Sequence, residues 1–196
     1  DQLRRGGADG GDDVFGDGSQ IYGNFWASPN MTLAGYSSSS KIELDATSTV
    51  DIDLVGLTAS LNLFIKGTGT FNFVSGFTLT GSYGIWTYDG TINFGSNTYV
   101  LNTHIRTETG GILNFGTSNI TLRGIYNYAG TFDASTNTFN FLGGTNSGIS
   151  TYESVVFNNI NVYSDVTGYI TWFFFQGGST INNFTVTNTT CSIFYL

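Results

Sequence analysis

The fold is decided by two consecutive stretches of the chain, GTFNFVSGFTL at 69–79 and GTINFGSNTYVL at 90–101. Each contains two short runs of alternating apolar and polar residues, joined by a polar corner such as Gly95-Ser96-Asn97. Alternation with a period of two is typical of β-strands, because successive side chains point to opposite faces. Glycine, asparagine and serine adopt the turn conformations that other residues resist. Each stretch therefore predicts two β-strands and a tight corner.

The same pattern recurs along most of the chain at nearly regular intervals. A first column of apolar residues, each followed by a polar and then an apolar residue, consists of Phe77, Tyr99, Ile120, Phe139, Ile160 and Phe184. Read backwards along the chain, Ile52 and Met31 continue this column. A second column is evenly spaced and contains Phe73, Phe94 and Phe115. If successive turns of the chain stack on one another, each column forms a ladder of side chains in the interior.

A recurrence of this length predicts a single-domain, all-β parallel β-helix, or β-solenoid. We expect about eight rungs of roughly 19–25 residues, each with two or three strands. An antiparallel β-sandwich is the alternative, since short strands at intervals of roughly 8 to 12 residues also suit that class. The sequence contains no Asn-Gly hairpin signal, and a sandwich does not explain the in-register recurrence. Both observations favour the solenoid.

The composition excludes several classes of protein. The 196 residues include 28 Thr, 19 Ser and 19 Asn, whereas only 10% are charged, so long amphipathic helices are not expected. Six Lys and Arg against fourteen Asp and Glu disfavour a nucleic-acid partner. No apolar run approaches the roughly 20 residues of a membrane-spanning helix, and one Cys excludes a Cys-based zinc site. We expect no cofactor, no nucleic-acid binding and no membrane insertion.

The ends of the chain differ from its middle. We predict a Gly/Asp-rich arm or linker at 1–20, a solenoid rod at 21–190, and a terminal β-strand at 191–196 that caps the rod or contacts another subunit. Four acids in the arm form a candidate calcium site, because calcium prefers several oxygen ligands. Their spacing matches no calcium-binding repeat, and a solvated acidic segment is the interpretation that we favour. These acids are Asp9, Asp12, Asp13 and Asp17.

Two apolar segments are candidate interfaces with other subunits. The first breaks the alternation with consecutive aromatic residues, and two adjacent Phe cannot both face inward on a regular strand. The second ends the sequence and has a high β-propensity. A bent core strand is the alternative for the first segment. The interface candidates are Trp172, Phe173, Phe174, Phe175, Ile193, Phe194, Tyr195 and Leu196.

Residues for catalysis are scarce. His104 is the only histidine, no Gly-x-Ser-x-Gly elbow occurs, and we interpret His104 as a surface residue at a corner. We interpret Cys191 as a buried, inert thiol. The acids of the rod, which a polysaccharide-cleaving solenoid would need in clusters, are spread about one per turn: Asp89, Glu108, Asp133, Glu153 and Asp165. A denser group on early strands is expected on a solvated outer face: Glu43, Asp45, Asp51 and Asp53. We therefore expect no enzyme.

The succession Gly-Thr-Phe-Asn-Phe, polar corner and short alternating strand resembles the β-helical fibre, spike and appendage proteins of bacteriophages. The segment VFGDGS at 14–19 resembles an opening found ahead of their first rungs. The likeness covers roughly residues 14–190 and rests on motifs of low specificity, which bacterial secreted adhesins share. It implies a virion or extracellular structural protein, often trimeric or otherwise symmetric, that binds surfaces. No catalytic motif is matched.

These observations predict a non-enzymatic structural or adhesive subunit of a virion, such as a phage tail fibre, spike or capsid appendage. We expect it on a virion or at a cell surface, as a homo-oligomer or beside other virion or filament subunits. Outward Tyr, Asn and Thr are the candidate contacts for host-surface glycans. One alternative is a bacterial or archaeal cell-surface adhesin or extracellular filament subunit. A β-helical polysaccharide lyase or hydrolase is the other.

Overall fold

The computed structural model describes residues 19–27, 40–54, 56–142, 147–163 and 178–187 in full, and the backbone alone at 13–15, 33–35 and 171–175. The strands of these residues pair in parallel and stack as a β-solenoid of about seven turns in a single domain, close to the eight rungs expected. The predicted fold class is therefore confirmed, and the sandwich is excluded. The described ranges contain no helix long and apolar enough to cross a lipid bilayer.

The central turns of the solenoid visit three sheets in the same order. Sheet 1 consists of β2 (Ser19–Ile21), β5 (Lys41–Leu44), β8 (Asn62–Ile65), β11 (Ile85–Thr87), β14 (His104–Thr107), β17 (Gly124–Asn127), β19 (Ser147–Thr151) and β21 (Thr171–Phe175). Sheet 2 consists of β3 (Phe25–Trp26), β6 (Thr49–Asp53), β9 (Thr70–Phe73), β12 (Thr91–Asn93), β15 (Ile112–Asn114) and the first part of β18 (Thr131–Leu142).

Sheet 3 adjoins sheet 2, because the long strand β18 runs through the corner between them. It contains β7 (Thr58–Ala59), β10 (Thr78–Leu79), β13 (Thr98–Leu101), β16 (Asn119–Leu122), the second part of β18, β20 (Val156–Tyr163) and β22 (Thr180–Thr187). A separate parallel pair joins β1 (Asp13–Phe15) to β4 (Leu33–Gly35). Strand pairing thus begins inside the range 1–20 that was predicted to be an arm.

The second column forms the predicted aromatic ladder inside sheet 2. Phe73, Phe94 and Phe115 are at most 2% exposed. The ring centroids of Phe73 and Phe94 lie 5.3 Å apart, and those of Phe94 and Phe115 lie 4.9 Å apart. Burial of such large apolar surfaces contributes about 25 cal/mol per Å² and offsets the entropy lost by ordering a chain rich in glycine.

The first column forms a ladder inside sheet 3, also as predicted. Register pairs place Tyr99 beside Ile120, Ile120 beside Phe139, and Phe139 beside Ile160, all fully buried. The Tyr99 hydroxyl donates hydrogen bonds to the carbonyl oxygens of Phe94 and, at 3.3 Å, Phe73. Burial raises the pKa of Tyr99 to about 12, so its hydroxyl stays a donor at neutral pH.

The backward continuation of the first column to Ile52 is wrong. Ile52 pairs with Phe73 in sheet 2, and Leu57 precedes the strand that pairs with Thr78 in sheet 3. Both columns share the same apolar-polar-apolar pattern, so alternation alone cannot assign a strand to one of them. The long interval between Ile52 and Phe77 spans an extra corner at Gly56.

The outer face of sheet 2 carries a repetitive ladder of side-chain amides, which we call the asparagine ladder. The Nδ2 atom of each amide donates to the Oδ1 atom one rung earlier: Asn72 to Asp51 at 3.0 Å, Asn93 to Asn72 at 2.8 Å, and Asn114 to Asn93 at 2.9 Å. Each rung thereby provides a hydrogen-bond acceptor for the side-chain amide of the next rung.

Candidate functional site

The outer face of sheet 1 differs from this uniform ladder. One outward column follows the strand register and runs through Glu43, Phe64, Trp86, Arg106 and Tyr126. A parallel column lies just beyond the strand ends and contains Lys66, Tyr88, Glu108, Tyr128 and Tyr152. We define the aromatic face as Phe64, Tyr83, Trp86, Tyr88, Arg106, Glu108, Tyr126, Tyr128 and Tyr152.

The rings of the aromatic face contact one another both within a rung and across neighbouring rungs. Trp86 lies against Phe64, with centroids 5.3 Å apart, and stacks on Tyr88 at 5.2 Å with an interplanar angle of 14°. Further along, Tyr128 stacks on Tyr126 at 6.2 Å and on Tyr152 at 5.6 Å. The parallel sheet places successive rungs about 4.8 Å apart, close enough for rings on neighbouring rungs to touch. The rings therefore form one continuous surface.

Arg106 joins the two groups of rings. Its guanidinium carbon lies 4.0 Å from the centroid of the Trp86 ring and 4.4 Å from that of Tyr128. The Oε1 atom of Glu108 accepts from the Nε atom and a terminal nitrogen of Arg106, each at 2.6 Å, and from Nε1 of Trp86 at 3.2 Å. Cation–π contacts and a charge-assisted hydrogen bond together hold the guanidinium in one position.

Beside this cluster lies a cavity of about 270 Å³. Its walls combine aromatic rings with hydrogen-bonding groups, and the lining residues that the structure describes include no carboxylate. Burial raises the pKa of the Tyr126 hydroxyl, which is a hydrogen-bonding group of this wall. The cavity is lined by Ser82, Tyr83, Trp86, His104, Arg106, Tyr126 and Tyr128.

Several rings of the aromatic face are open to solvent. Tyr83 is 48% exposed, Tyr152 44% and Tyr128 39%, whereas Trp86 and Tyr88 are half-buried. Contiguous exposed aromatic side chains mark interaction sites more often than isolated ones do. A second depression of about 420 Å³ lies near sheet 3, and its described lining is uncharged and consists of Gly56, Gly76, Phe77, Thr78, Thr98 and Val100.

An asparagine within sheet 1 supports the cavity from below. Asn62 is fully buried, and its Oδ1 atom accepts hydrogen bonds from the backbone nitrogens of Tyr83 at 2.7 Å and Gly84 at 2.8 Å. Its Nδ2 atom donates to the carbonyl oxygen of Ser40 at 2.8 Å. Gly84 has a φ of 70°, which a side chain would resist. Asn62 therefore fixes the corner from which Tyr83 reaches the cavity.

A glycine makes room for His104, the residue predicted to lie at a surface corner. His104 begins β14 and is half-buried, with Nδ1 3.0 Å from the Thr103 hydroxyl and its ring 5.0 Å from that of Tyr126. A Cβ on Gly124 would lie 2.6 Å from a ring carbon of His104. Any side chain at position 124 would push the imidazole out of the cavity wall.

Near the start of sheet 1, Glu43 forms a charged cluster. Its Oε1 atom lies 2.7 Å from Nζ of Lys66 and 3.1 Å from Nζ of Lys41. The hydrogen bond from Lys66 is the main cause that lowers the pKa of Glu43 to about 2. Glu43 is on the outer face as predicted, but its side chain is only 6% exposed. The expectation that it is solvated is wrong, because neighbouring side chains cover it.

Among the fully described residues, the aromatic face contains none of the site residues predicted from the sequence. Asp9, Asp12, Asp17 and the candidate interface 193–196 lie outside the described residues. Asp13 lies in β1, and Trp172 to Phe175 lie in β21, where the backbone alone is described and pairs in parallel with β19. Within the fully described ranges, no three His, Cys, Asp or Glu residues come together to hold a metal ion. The calcium and interface hypotheses remain predictions.

The acids that were considered for catalysis have different surroundings. Glu108 is paired with Arg106, whereas Asp89 and Glu153 are exposed. Asp133 is exposed in β18 and accepts hydrogen bonds from the backbone nitrogen and hydroxyl of Ser135. Asp165 lies outside the described part of the chain.

Outward tyrosines are predicted from the sequence as glycan contacts, but the sequence alone does not locate them. The outward register partners on sheet 1 differ in residue type, so Phe64, Trp86 and Arg106 show no repeat. A recurring sequence pattern does exist at the ends of these strands. There, an inward Thr or Asn is followed by an outward residue at positions 88, 108, 128 and 152. Three of these four outward residues are tyrosines.

Comparisons with known proteins add no family to this description. The chain matches no protein-family model, no curated protein and no solved structure.

Proposed function

We propose that the protein is a non-catalytic, adhesive β-solenoid that binds carbohydrate through its aromatic face. The observation that carries the proposal is the continuous outward cluster of rings and polar groups around the cavity on sheet 1. The buried core lies inside the solenoid, including Ile85, Ile105 and Ile125 beneath sheet 1, so the outward rings are additional to it.

The chemistry of the face suits a sugar. A sugar ring presents apolar C–H groups on its faces and hydroxyl groups around its rim. Trp86 and the exposed tyrosines offer apolar rings together with N–H and O–H groups, and Arg106, Glu108 and His104 add further hydrogen-bonding atoms. A cavity of about 270 Å³ is small among ligand pockets and suits one sugar unit of a longer chain.

The geometry favours binding over cleavage. Glycoside cleavage requires two carboxyl groups about 5 to 10 Å apart on either side of the scissile bond. The described lining of the cavity has no carboxylate, and the nearby Glu108 is held by Arg106 and Trp86. We therefore expect the protein to release bound glycans unchanged. Appearance of shorter oligosaccharides during incubation with the protein would contradict this part of the proposal.

An array of bacterial and host glycans tests carbohydrate binding directly. We expect the protein to bind a subset of the array and Trp86→Ala to weaken that binding about 30-fold, because truncated aromatic hot spots cost about 2 kcal/mol. Trp26→Ala is the matched control, since Trp26 is 40% exposed but lies in sheet 2. Equal losses in both variants, or no binding of any glycan, would contradict the proposal.

For the biological setting, we propose the virion or cell surface, with a tail fibre, spike or appendage as the first candidate. This part rests on the resemblance of the repeats and on the stiffness expected of stacked parallel rungs. Antibody labelling of native particles and cells by electron microscopy tests it. Label on particles supports the virion role, label on cell surfaces or filaments supports the adhesin or filament role, and label confined to the cell interior contradicts both.

A further inference from the structure

We propose that the cavity of the aromatic face is a subsite for a sugar that carries a carboxylate, with Arg106 as the residue that binds this group. The inference rests on the proposed carbohydrate binding and specifies its ligand class. Arg106 is a cation in the cavity wall, and none of the described residues of that wall is an acid. The protein as a whole has a net charge of −8, so this lining differs from the average of the chain.

The hydrogen bonds of Arg106 leave a binding edge for an anion. A guanidinium has five N–H donors in a planar fork. Glu108 contacts Nε and one terminal nitrogen of Arg106 through a single oxygen, Oε1. The two terminal nitrogens form a second fork, and carboxylates bind such forks through two parallel hydrogen bonds.

The position of the guanidinium is fixed in advance. Trp86 lies 4.0 Å from it and Tyr128 lies 4.4 Å from it, measured from the guanidinium carbon to the ring centroids. The side chain of Arg106 is 34% exposed, so the charge is partly desolvated yet accessible. Preorganisation of this kind removes the entropic cost of ordering a long side chain on binding.

The neighbouring groups complete the recognition of a sugar acid. Rings on either side of Arg106 can contact the apolar parts of the sugar, while Ser82 and His104 offer hydrogen-bonding atoms to its hydroxyl groups. Glu108 limits the affinity for an anion, because its charge lies against the same guanidinium. Removal of that charge should therefore strengthen the binding of an acidic sugar.

The test compares a hexamer of galacturonic acid with its carboxyl-reduced, neutral form by titration calorimetry at physiological ionic strength. Under those conditions the Debye length is about 8 Å, which screens the distant acids of the protein. We expect the acidic hexamer to bind at least about ten-fold more tightly, since hydrogen bonds to charged groups are the strong ones. Equal affinities for the two hexamers would overturn the inference and leave the proposed function standing.

Three variants separate local from general charge effects. Arg106→Gln should abolish the preference for the acidic hexamer, and Glu108→Gln should raise the affinity for it several-fold while its side-chain oxygen still accepts from Arg106. Arg123→Gln changes the net charge equally, but Arg123 lies outside the cavity with Nε bonded to the carbonyl oxygen of Asn102. A preference that survives Arg106→Gln, or that is lost in Arg123→Gln, would overturn the inference.

Two further experimental outcomes are possible, and each one tests either the inference or the proposed function. If Arg106→Gln does not fold, as judged by circular dichroism, Arg106→Lys keeps the charge without the fork and should lower the affinity for the acidic hexamer about ten-fold. An unchanged affinity in that variant would overturn the inference. If neither hexamer binds while the array shows only neutral glycans, the inference is overturned; if the array is also blank, the proposed function itself fails.

Discussion

The outer faces of sheets 1 and 2 have the same parallel backbone arrangement but carry different patterns of side chains. On sheet 2, Asn72, Asn93 and Asn114 repeat the same amide at the same register position, and each bonds to the next. On sheet 1, Trp86 and Arg106 are direct register partners with unlike side chains. A repetitive column satisfies its own polar groups, rung by rung. The outward column on sheet 1 changes residue at every rung, and this difference is the basis of the proposed binding site.

The largest expected effect on stability comes from removing the support beneath the aromatic face. Asn62→Ala leaves the backbone nitrogens of Tyr83 and Gly84 without their side-chain acceptor and removes one of the two donors to the Ser40 carbonyl oxygen, so it should lower the free energy of unfolding by about 3 kcal/mol. Urea denaturation measures this change. Asn102→Ala, at an exposed corner, is the control and should change stability by less than about 0.5 kcal/mol. Similar losses in both variants would contradict the role of Asn62.

Breaking the asparagine ladder should affect stability but not binding. Asn93→Ala removes the bonds from Asn93 to Asn72 and from Asn114 to Asn93, at a cost of about 2 kcal/mol. Thr91→Ala, two positions away on the same outer face, is the control. Denaturation and the glycan array together measure both properties. Loss of glycan binding in folded Asn93→Ala would contradict the proposal that glycans bind the outer face of sheet 1 and not that of sheet 2.

The charged cluster at the start of sheet 1 predicts a pH dependence. Because the Lys66 hydrogen bond holds the folded-state pKa of Glu43 at about 2, below its ordinary 4.5, the ionised carboxylate stabilises the fold above pH 4.5. This contribution should be lost as the pH falls from about 4.5 to about 2. Glu43→Gln should lower stability at pH 7 by about 1 to 2 kcal/mol and flatten that acid-induced loss. An identical pH profile of melting temperature in the variant and the wild type would contradict the assignment.

The smallest stability effect is expected on the exposed aromatic face itself. Tyr152→Ser removes a ring that is 44% exposed and stacks on Tyr128, and it should change the free energy of unfolding by about 0.5 kcal/mol. Its affinity for glycans should nevertheless fall several-fold. A large stability loss with unchanged binding would show that the ring serves the fold instead.

The sequence predicted the fold more fully than the site for a physical reason. Core positions such as Phe94 and Phe115 must pack against their equivalents one rung away, so the repeat is visible along the chain. The prediction that Ile52 belongs to the first column is wrong because strands of sheets 2 and 3 show the same alternation of apolar and polar residues. Only the strand pairing, which joins Ile52 to Phe73, assigns it to sheet 2. The aromatic face escaped detection because its outward residues differ on successive rungs, as at Trp86 and Arg106, and such differences leave no period in the sequence.

The central claim is that carbohydrate contacts the outer face of sheet 1 and not that of sheet 2. The most direct test is a titration of isotopically labelled protein with an oligosaccharide that binds on the array, followed by NMR chemical-shift mapping. We expect saturable chemical-shift changes of the Trp86 indole N–H and the backbone amides of Arg106 and Tyr128. The chemical shifts of the side-chain amides of Asn72 and Asn93 should stay unchanged. Shifts confined to the asparagine ladder, or none on sheet 1, would contradict it.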